Sequence, residues 1–144
     1  MAITIRSAIV SDVESIFGIR TSVIENHLSR EEMRQMGITE NLVADMIQNS
    51  SCAWVAVENE KIIGFSMILP YEGCLFAAFV HPKYEGRGAG RKLIMAAEQE
   101  LFRLHDIAWL ETDKNSRAAK VYIHLGWGNQ TDINDTDIRL EKKS

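Results

Sequence analysis

The run Glu85-Gly86-Arg87-Gly88-Ala89-Gly90-Arg91-Lys92-Leu93-Ile94 follows an apolar stretch from Leu75 to Val80. A strand, a glycine-rich turn and a basic helix start, in that order, form a cradle for phosphate. Glycines let the backbone approach a ligand closely, the free N–H groups of a helix's first turn point at it, and the helix dipole favours negative charge there. Arg87, Arg91 and Lys92 add full positive charges at the same place. Spacing excludes two phosphate ligands. A dinucleotide fingerprint needs a third glycine where Arg91 stands, and an acidic ribose ligand about twenty residues on is not evident. A nucleoside triphosphate loop needs Ser or Thr after Gly-Lys, whereas Gly90 is followed by Arg91 and Lys92.

A second chemical group lies at Asn115-Ser116-Arg117-Ala118-Ala119-Lys120-Val121-Tyr122, ending in Gly126-Trp127. Asn115 suits a helix N-cap, and Gly126 suits a left-handed stop. Asn115 and Tyr122 are two helical turns apart, which would put them on one face with Ala118 between them. A tyrosine there is either a packing residue or a proton donor.

Together, Val80-His81-Pro82 through Gly86-Arg87-Gly88-Ala89-Gly90-Arg91 and the Asn115–Trp127 segment resemble the two coenzyme A motifs of the GCN5-related N-acetyltransferase (GNAT) family. Ile5-Arg6-Ser7-Ala8 leading to Asp12 is similar to that family's first strand and helix, so the likeness extends loosely over the whole chain. The chain departs from the pattern at Glu85, whose acidic side chain must point away from a diphosphate, and at Trp127, where a change from phenylalanine should matter only for packing.

The resemblance implies an α/β fold with a central mixed sheet flanked by helices on both faces. It implies acetyl-CoA as cosubstrate and no metal. Ala78, Phe79 and Val80 would hold the pantetheine arm through backbone groups. Gly86, Arg87, Gly88, Ala89, Gly90, Arg91 and Lys92 would hold the pyrophosphate, and Asn115 would fix the arm. Tyr122 would protonate the departing sulfur, since a phenol pKa of about 10 is close enough to a thiol's. Glu111, at a strand end four residues before Asn115, is the first candidate for the base. Glu25 or water are the alternatives, with His81 and His27 as further options. Glu25 and Asn26, in the segment Thr21 to Leu28, would line the acceptor pocket. The acceptor would be a primary amine on a small molecule or a protein. A non-catalytic CoA-binding or sensory module of the same fold is the alternative function, a longer acyl donor stays open, and a homodimer would be common for such a fold.

The whole chain bounds these readings. Its 144 residues and 16.3 kDa suit one domain, 1–144, large enough for a core. A net charge of -4 argues against nucleic acid as partner, because phosphate backbones need larger basic patches. No run approaches twenty apolar residues, and Met1 to Arg6 lacks a signal-peptide layout, so neither a membrane nor secretion is expected and a cytoplasmic location follows. Cys52 and Cys74 lack metal-ligand spacing and read as buried free thiols.

The elements that must position these groups read as follows. Ile3 to Ser7 opens as a strand. Ser11-Asp12-Val13-Glu14 and Ser29-Arg30-Glu31-Glu32 are capping boxes starting two helices, and a further helical run passes through Leu42, Val43, Met46 and Ile47. Cys52 to Glu58 and Ile62 to Leu69 form an antiparallel hairpin joined by the polar turn Glu58-Asn59-Glu60-Lys61, and Leu75 to Val80 follows as a strand. The helix after the glycine loop would bury Leu93, Ile94, Ala97, Leu101 and Leu104. Ile107 to Thr112 and Asp137 to Glu141 complete the strands.

Overall fold

Antiparallel pairing builds one side of the sheet. The computed structural model, which describes residues 2–25 and 27–144, pairs β1 (Thr4–Ser7) with β2 (Ala53–Glu58), β2 with β3 (Lys61–Leu69), and β3 with β4 (Cys74–Val80). The β2–β3 turn places Asn59 at φ 52° and Glu60 at φ 65°. Two successive left-handed residues make the two-residue hairpin turn whose twist matches its strands. β2 and most of β3 are buried along their length, as continuous apolar strands covered on both faces should be.

The first helices lie on one face. They are α1 (Val13–Arg20), α2 (Arg30–Gln35) and α3 (Glu40–Asn49). Ser29 begins α2 as read: its Oγ accepts from Glu32 N, and Glu32 Oε1 accepts from Ser29 N. Ser11 does not cap α1. A short 3₁₀ turn at Val10–Asp12 precedes that helix, and Asp12 turns back to accept from Ile9 N at 2.9 Å and from Arg6 Nη1 and Nη2 at 2.8 and 3.0 Å. A bidentate guanidinium outweighs a local cap, and it holds the Asp12 carboxyl below its ordinary pKa.

α4 (Ala89–Leu104) covers the opposite face, burying Ala89, Leu93, Ile94, Ala97 and Leu101. Leu104, expected on the same stripe, is 44% exposed. It is the helix's final residue, and the chain departs there as the His105 ring meets the Pro70 carbonyl. Close approach of α4 depends on Gly64: a Cβ there would stand 2.9 Å from both Leu93 Cδ1 and the Phe79 carbonyl oxygen. Alongside it, buried Ser66 donates to the Leu93 carbonyl at 2.9 Å.

The far side of the sheet comprises β5 (Ile107–Asp113), β6 (Gly128–Asp132) and β7 (Asp137–Lys143), with α5 (Arg117–His124) between β5 and β6. Among the described residues the strand order is β1-β2-β3-β4-β5-β7-β6. β6 was not foreseen, because Gly128-Asn129-Gln130-Thr131-Asp132 is a polar, exposed edge with no apolar alternation. The fold is thus the expected mixed sheet with helices on both faces.

Candidate active site

The two sides of the sheet are joined by parallel pairing of Cys74 with Trp109 alone in the β4–β5 ladder. Beyond that rung the strands part. The cause lies one step along β4, where Met67 pairs with Ala77 and Ile68 with Leu75, leaving Phe76 as an extra residue in a β-bulge. A bulge bends its strand and ends regular pairing. Ala78, Phe79 and Val80 therefore follow the bulge along an edge that pairs with β3 and not with β5. Sequence reading placed these residues on this strand but missed the bulge, which no glycine or proline marks.

The glycine loop stands at the end of this edge. Gly86 and Gly88 have φ values of 79° and 88°, and an added Cβ at either would meet nothing within 4 Å. Glycine is needed here for backbone conformation, and the space above it is open. Gly88 is the N-cap of α4 and supplies no side-chain cap, so the N–H groups of the first turn face that space. A phosphate group fits these features: an open cradle, free donors and a sixteen-residue helix behind them.

The expected cations divide. Arg87 Nη1 lies 2.6 Å from Glu58 Oε1, and Glu58 is only 7% exposed; its guanidinium also lies 5.2 Å from the Tyr84 ring centre. Its charge is largely spent on a buried carboxylate. Lys92 Nζ reaches toward the Ile3 carbonyl at 3.4 Å. Arg91 is exposed and has no ion-pair partner among the described residues. Glu85 Oε2 lies 2.9 Å from Arg117 Nη1, an ion pair that balances its charge.

Arg117 was not singled out from sequence, yet it joins three segments. Its side chain meets Glu85, and its backbone N–H donates to Glu25 Oε1 at 2.7 Å. The carboxylate of Glu25 thus occupies the positive end of α5, as charge complementarity favours. Asn26 lies outside the described residues.

The helix cap is Ser116, not Asn115. Ser116 Oγ accepts from Ala119 N at 3.0 Å and donates to the Asp113 carbonyl. Asn115 occupies the preceding turn, its N–H held by Asp113 Oδ1 at 2.8 Å. Because Asn115 lies outside the helix, the expected shared face with Tyr122 does not form. Asn115 is exposed, and its side-chain amide has no partner among the described residues.

Tyr122 is buried, 7% exposed, with its ring 6.2 Å from that of Trp127 in an edge arrangement. Trp127 does more than pack. Its indole N–H donates to Glu98 Oε2 at 2.9 Å, a bond that phenylalanine could not make, and Lys142 Nζ binds the same carboxylate at 2.8 Å. These contacts fix the wall against which Tyr122 rests. Tyr122 has no hydrogen-bond partner among the described residues, and no buried side-chain oxygen there is both sealed and unpartnered, so the hydroxyl touches solvent. Burial, with a smaller contribution from Cys74, raises its pKa well above the ordinary phenol value.

Cys74 lies electrostatically between the two candidate catalytic groups. Burial first, then the Glu72 and Glu111 carboxylates, push its thiol up to about 12, against an opposing effect of Arg139. It is a protonated, free thiol. Glu111 is exposed and pairs across the ladder with Arg139. Strand alternation puts Glu111 on the face opposite buried Ala108 and Leu110.

A family model described as the acetyltransferase (GNAT) family matches residues 13–127, and the chain belongs to that family. Solved structures share its fold at low identity. The PaiA N-acetyltransferase from Thermoplasma acidophilum, in complex with coenzyme A, is 18% identical over 100% of both chains with a TM-score of 0.78. A putative acetyltransferase, yncA, from Salmonella typhimurium with acetyl-CoA is 18% identical over 99% of this chain and 94% of that one, TM-score 0.72. The ribosomal-protein-S18-alanine N-acetyltransferase from Escherichia coli is 19% identical over 99% and 94%, TM-score 0.73. Comparison of the sequence with curated proteins gave no significant match. Among the described residues no helix is long and apolar enough to cross a membrane.

Proposed function

We propose that this protein transfers an acetyl group from acetyl-CoA to a primary amine by direct attack. The observation that carries this reading is the parted β4–β5 seam, with an open left-handed glycine loop at one end and the Tyr122 hydroxyl reaching solvent. A pantetheine arm is a chain of amides that can hydrogen-bond to the free backbone edge of Ala78, Phe79 and Val80. The N–H groups at Gly88, Ala89 and Gly90, with Arg91, would hold the pyrophosphate, while Asn115 offers its unpartnered amide to the arm. Arg87 supports the loop through Glu58.

In this reading Glu111, or water beside it, takes one proton from the acceptor ammonium. The nitrogen then bonds to the thioester carbonyl carbon, the C–S bond breaks with its electron pair on sulfur, and a second nitrogen proton leaves as the amide forms. Tyr122 supplies the proton that sulfur receives and recovers one from solvent. A backbone N–H on the β4 edge stabilises the oxyanion. Glu25 is less suited to act as base, because it is engaged at the α5 terminus.

Calorimetric titration with acetyl-CoA, together with thiol release in the presence of an amine panel, tests the proposal. Binding and thiol release are expected in the parent protein, and Gly88→Glu should lose binding. Normal affinity in Gly88→Glu would remove the assigned loop, and binding without thiol release from any amine would favour a sensory module.

A further inference from the structure

Four of the chain's six methionines, Met33, Met36, Met46 and Met67, line one cavity of about 320 Å³ between the first three helices and strands β3 and β4. Among the described residues its lining side chains are aliphatic, aromatic or thioether except at Arg20. The Arg20 guanidinium is already engaged, stacked 4.3 Å from the Phe79 ring centre, so the surface this wall offers a ligand is apolar. Phe76 and Ala77 are neighbours in sequence, yet both line the cavity. Regular alternation would send them to opposite faces; the bulge at Phe76 brings the extra aromatic ring to this side. Met36, Leu42 and Phe76 are also exposed, which leaves the cavity an open mouth rimmed by large apolar side chains. Its inner wall holds Ala77 and Phe79, of the same strand whose edge is assigned to the thioester arm.

We infer, resting on the acetyltransferase reading, that the acceptor of that site is a small primary amine with an apolar body, alkyl or arylalkyl, seated in this cavity with its nitrogen at the β4 edge. A volume at the small end of the roughly 300–1,000 Å³ range of ligand pockets suits one such body taken whole. Thioether walls adapt to aliphatic and aromatic shapes alike, so polarity rather than one outline sets the class. The walls reward burial of apolar area, and a second ammonium at the far end would lose its hydration with no carboxylate among the described lining residues to replace it. Apolar surroundings also disfavour the ammonium form of the reacting amine, easing the proton loss that must precede attack. The open mouth favours the acceptor over the acyl group as occupant. An acyl chain arrives tied to sulfur along the seam and needs no opening to solvent, whereas a free amine does. A peptide N-terminus would bring amides to a rim whose side chains, Met36, Leu42 and Phe76, offer them no strong hydrogen-bond partner.

The test compares n-hexylamine with 1,5-diaminopentane, which has as many heavy atoms but a second ammonium in place of the terminal methyl, and with ethylamine, which lacks the body. Thiol release from acetyl-CoA gives kcat and KM for each, and calorimetry with CoA present gives binding apart from chemistry. n-Hexylamine is expected to exceed both at least about tenfold in kcat/KM, mainly through KM. Phenethylamine should stand with it, above the diamine. Met36→Gln and Met46→Gln, at exposed and half-buried positions, should each narrow the hexylamine-to-diaminopentane ratio, which is read within one protein and so does not depend on its stability. Equal or better turnover of the diamine or ethylamine by the parent protein, or a ratio unchanged in both variants, would overturn the inference while leaving the transferase intact. Better use of phenylalanylglycine amide than of phenethylamine would do the same, by assigning the cavity to a peptide N-terminus, as would better use of hexanoyl-CoA than of acetyl-CoA, by assigning it to the acyl group. n-Hexylamine binding with no thiol release would instead overturn the transferase and keep the cavity as a site for apolar amines, and the absence of both would overturn the two together.

Discussion

Glu25 Oε1 accepts the Arg117 backbone N–H at 2.7 Å, fastening the segment after α1 to the first turn of the helix that carries Tyr122. The bond ties the proposed acceptor side of the molecule to the helix of the proposed acid. Glu25→Gln keeps an acceptor oxygen and should retain most turnover, whereas Glu25→Ala frees the helix end and should cost about 0.5–2 kcal/mol of stability. Thermal unfolding and steady-state rates, measured together, check this. A Glu25→Gln protein that is folded but inactive would make Glu25 the base.

Tyr122→Phe preserves the ring against Trp127 and removes the hydroxyl. Acetyl-CoA affinity should be retained while turnover falls roughly 10- to 1000-fold. Because the Tyr122 pKa is raised, the hydroxyl stays protonated through neutral and mildly alkaline pH. A loss of rate in the parent protein below about pH 9 therefore belongs to another group.

Gly88→Ala introduces no clash, since a Cβ there meets nothing within 4 Å. The penalty is conformational, about 1–2 kcal/mol for a non-glycine residue held left-handed. Weaker acetyl-CoA binding with a small stability loss is expected by calorimetry and thermal unfolding. Unaltered binding would show that the loop tolerates another shape.

Arg87→Met should be felt first as lost stability, because Glu58 would remain buried without its partner. A cost of about 1–3 kcal/mol is expected by denaturant titration. In Glu58→Gln the same Arg87 substitution should cost less, a difference that a double-mutant cycle reads directly.

Alkaline pH should destabilise the fold. The Cys74 thiol loses its proton near 9.0 when unfolded but only at about 12 when folded. The stabilisation is complete below pH 9 and is lost as pH rises toward 12; the raised Tyr122 acts with the same sign at higher pH. Denaturation midpoints measured between about pH 8 and pH 11 should fall. The fall should be shallower in Cys74→Ala, whatever its own starting stability.

The glycine loop, the strand before it and the helix after it were legible because each follows local rules: apolar continuity, left-handed glycine, amphipathic spacing. Tyr122 was singled out by its spacing from Asn115 and its place in the Asn115–Trp127 segment, whose Gly126 does follow the helix at φ 100°. Other features depend on contacts far apart in the chain. Ser116 caps in place of Asn115 because Asp113 accepts from the Asn115 N–H and holds it in the preceding turn, leaving Ser116 Oγ to accept from Ala119 N. Ser11 lost its expected capping role as a 3₁₀ turn formed ahead of α1, with Asp12 held by Arg6 on another element. Arg87 read as a free cation until Glu58, twenty-nine residues earlier, appeared beside it. The Phe76 bulge and the polar edge β6 carry no composition signal.

The lone Cys74–Trp109 rung has a mechanical consequence. A sheet held so sparingly at its centre can breathe there, and β5–β7 should exchange backbone hydrogens as a unit partly independent of β1–β4. Any polyamide ligand lying along the freed edge would act as a splint between the halves. Occupancy should then be readable far from the ligand, as slowed exchange in strands that it never touches.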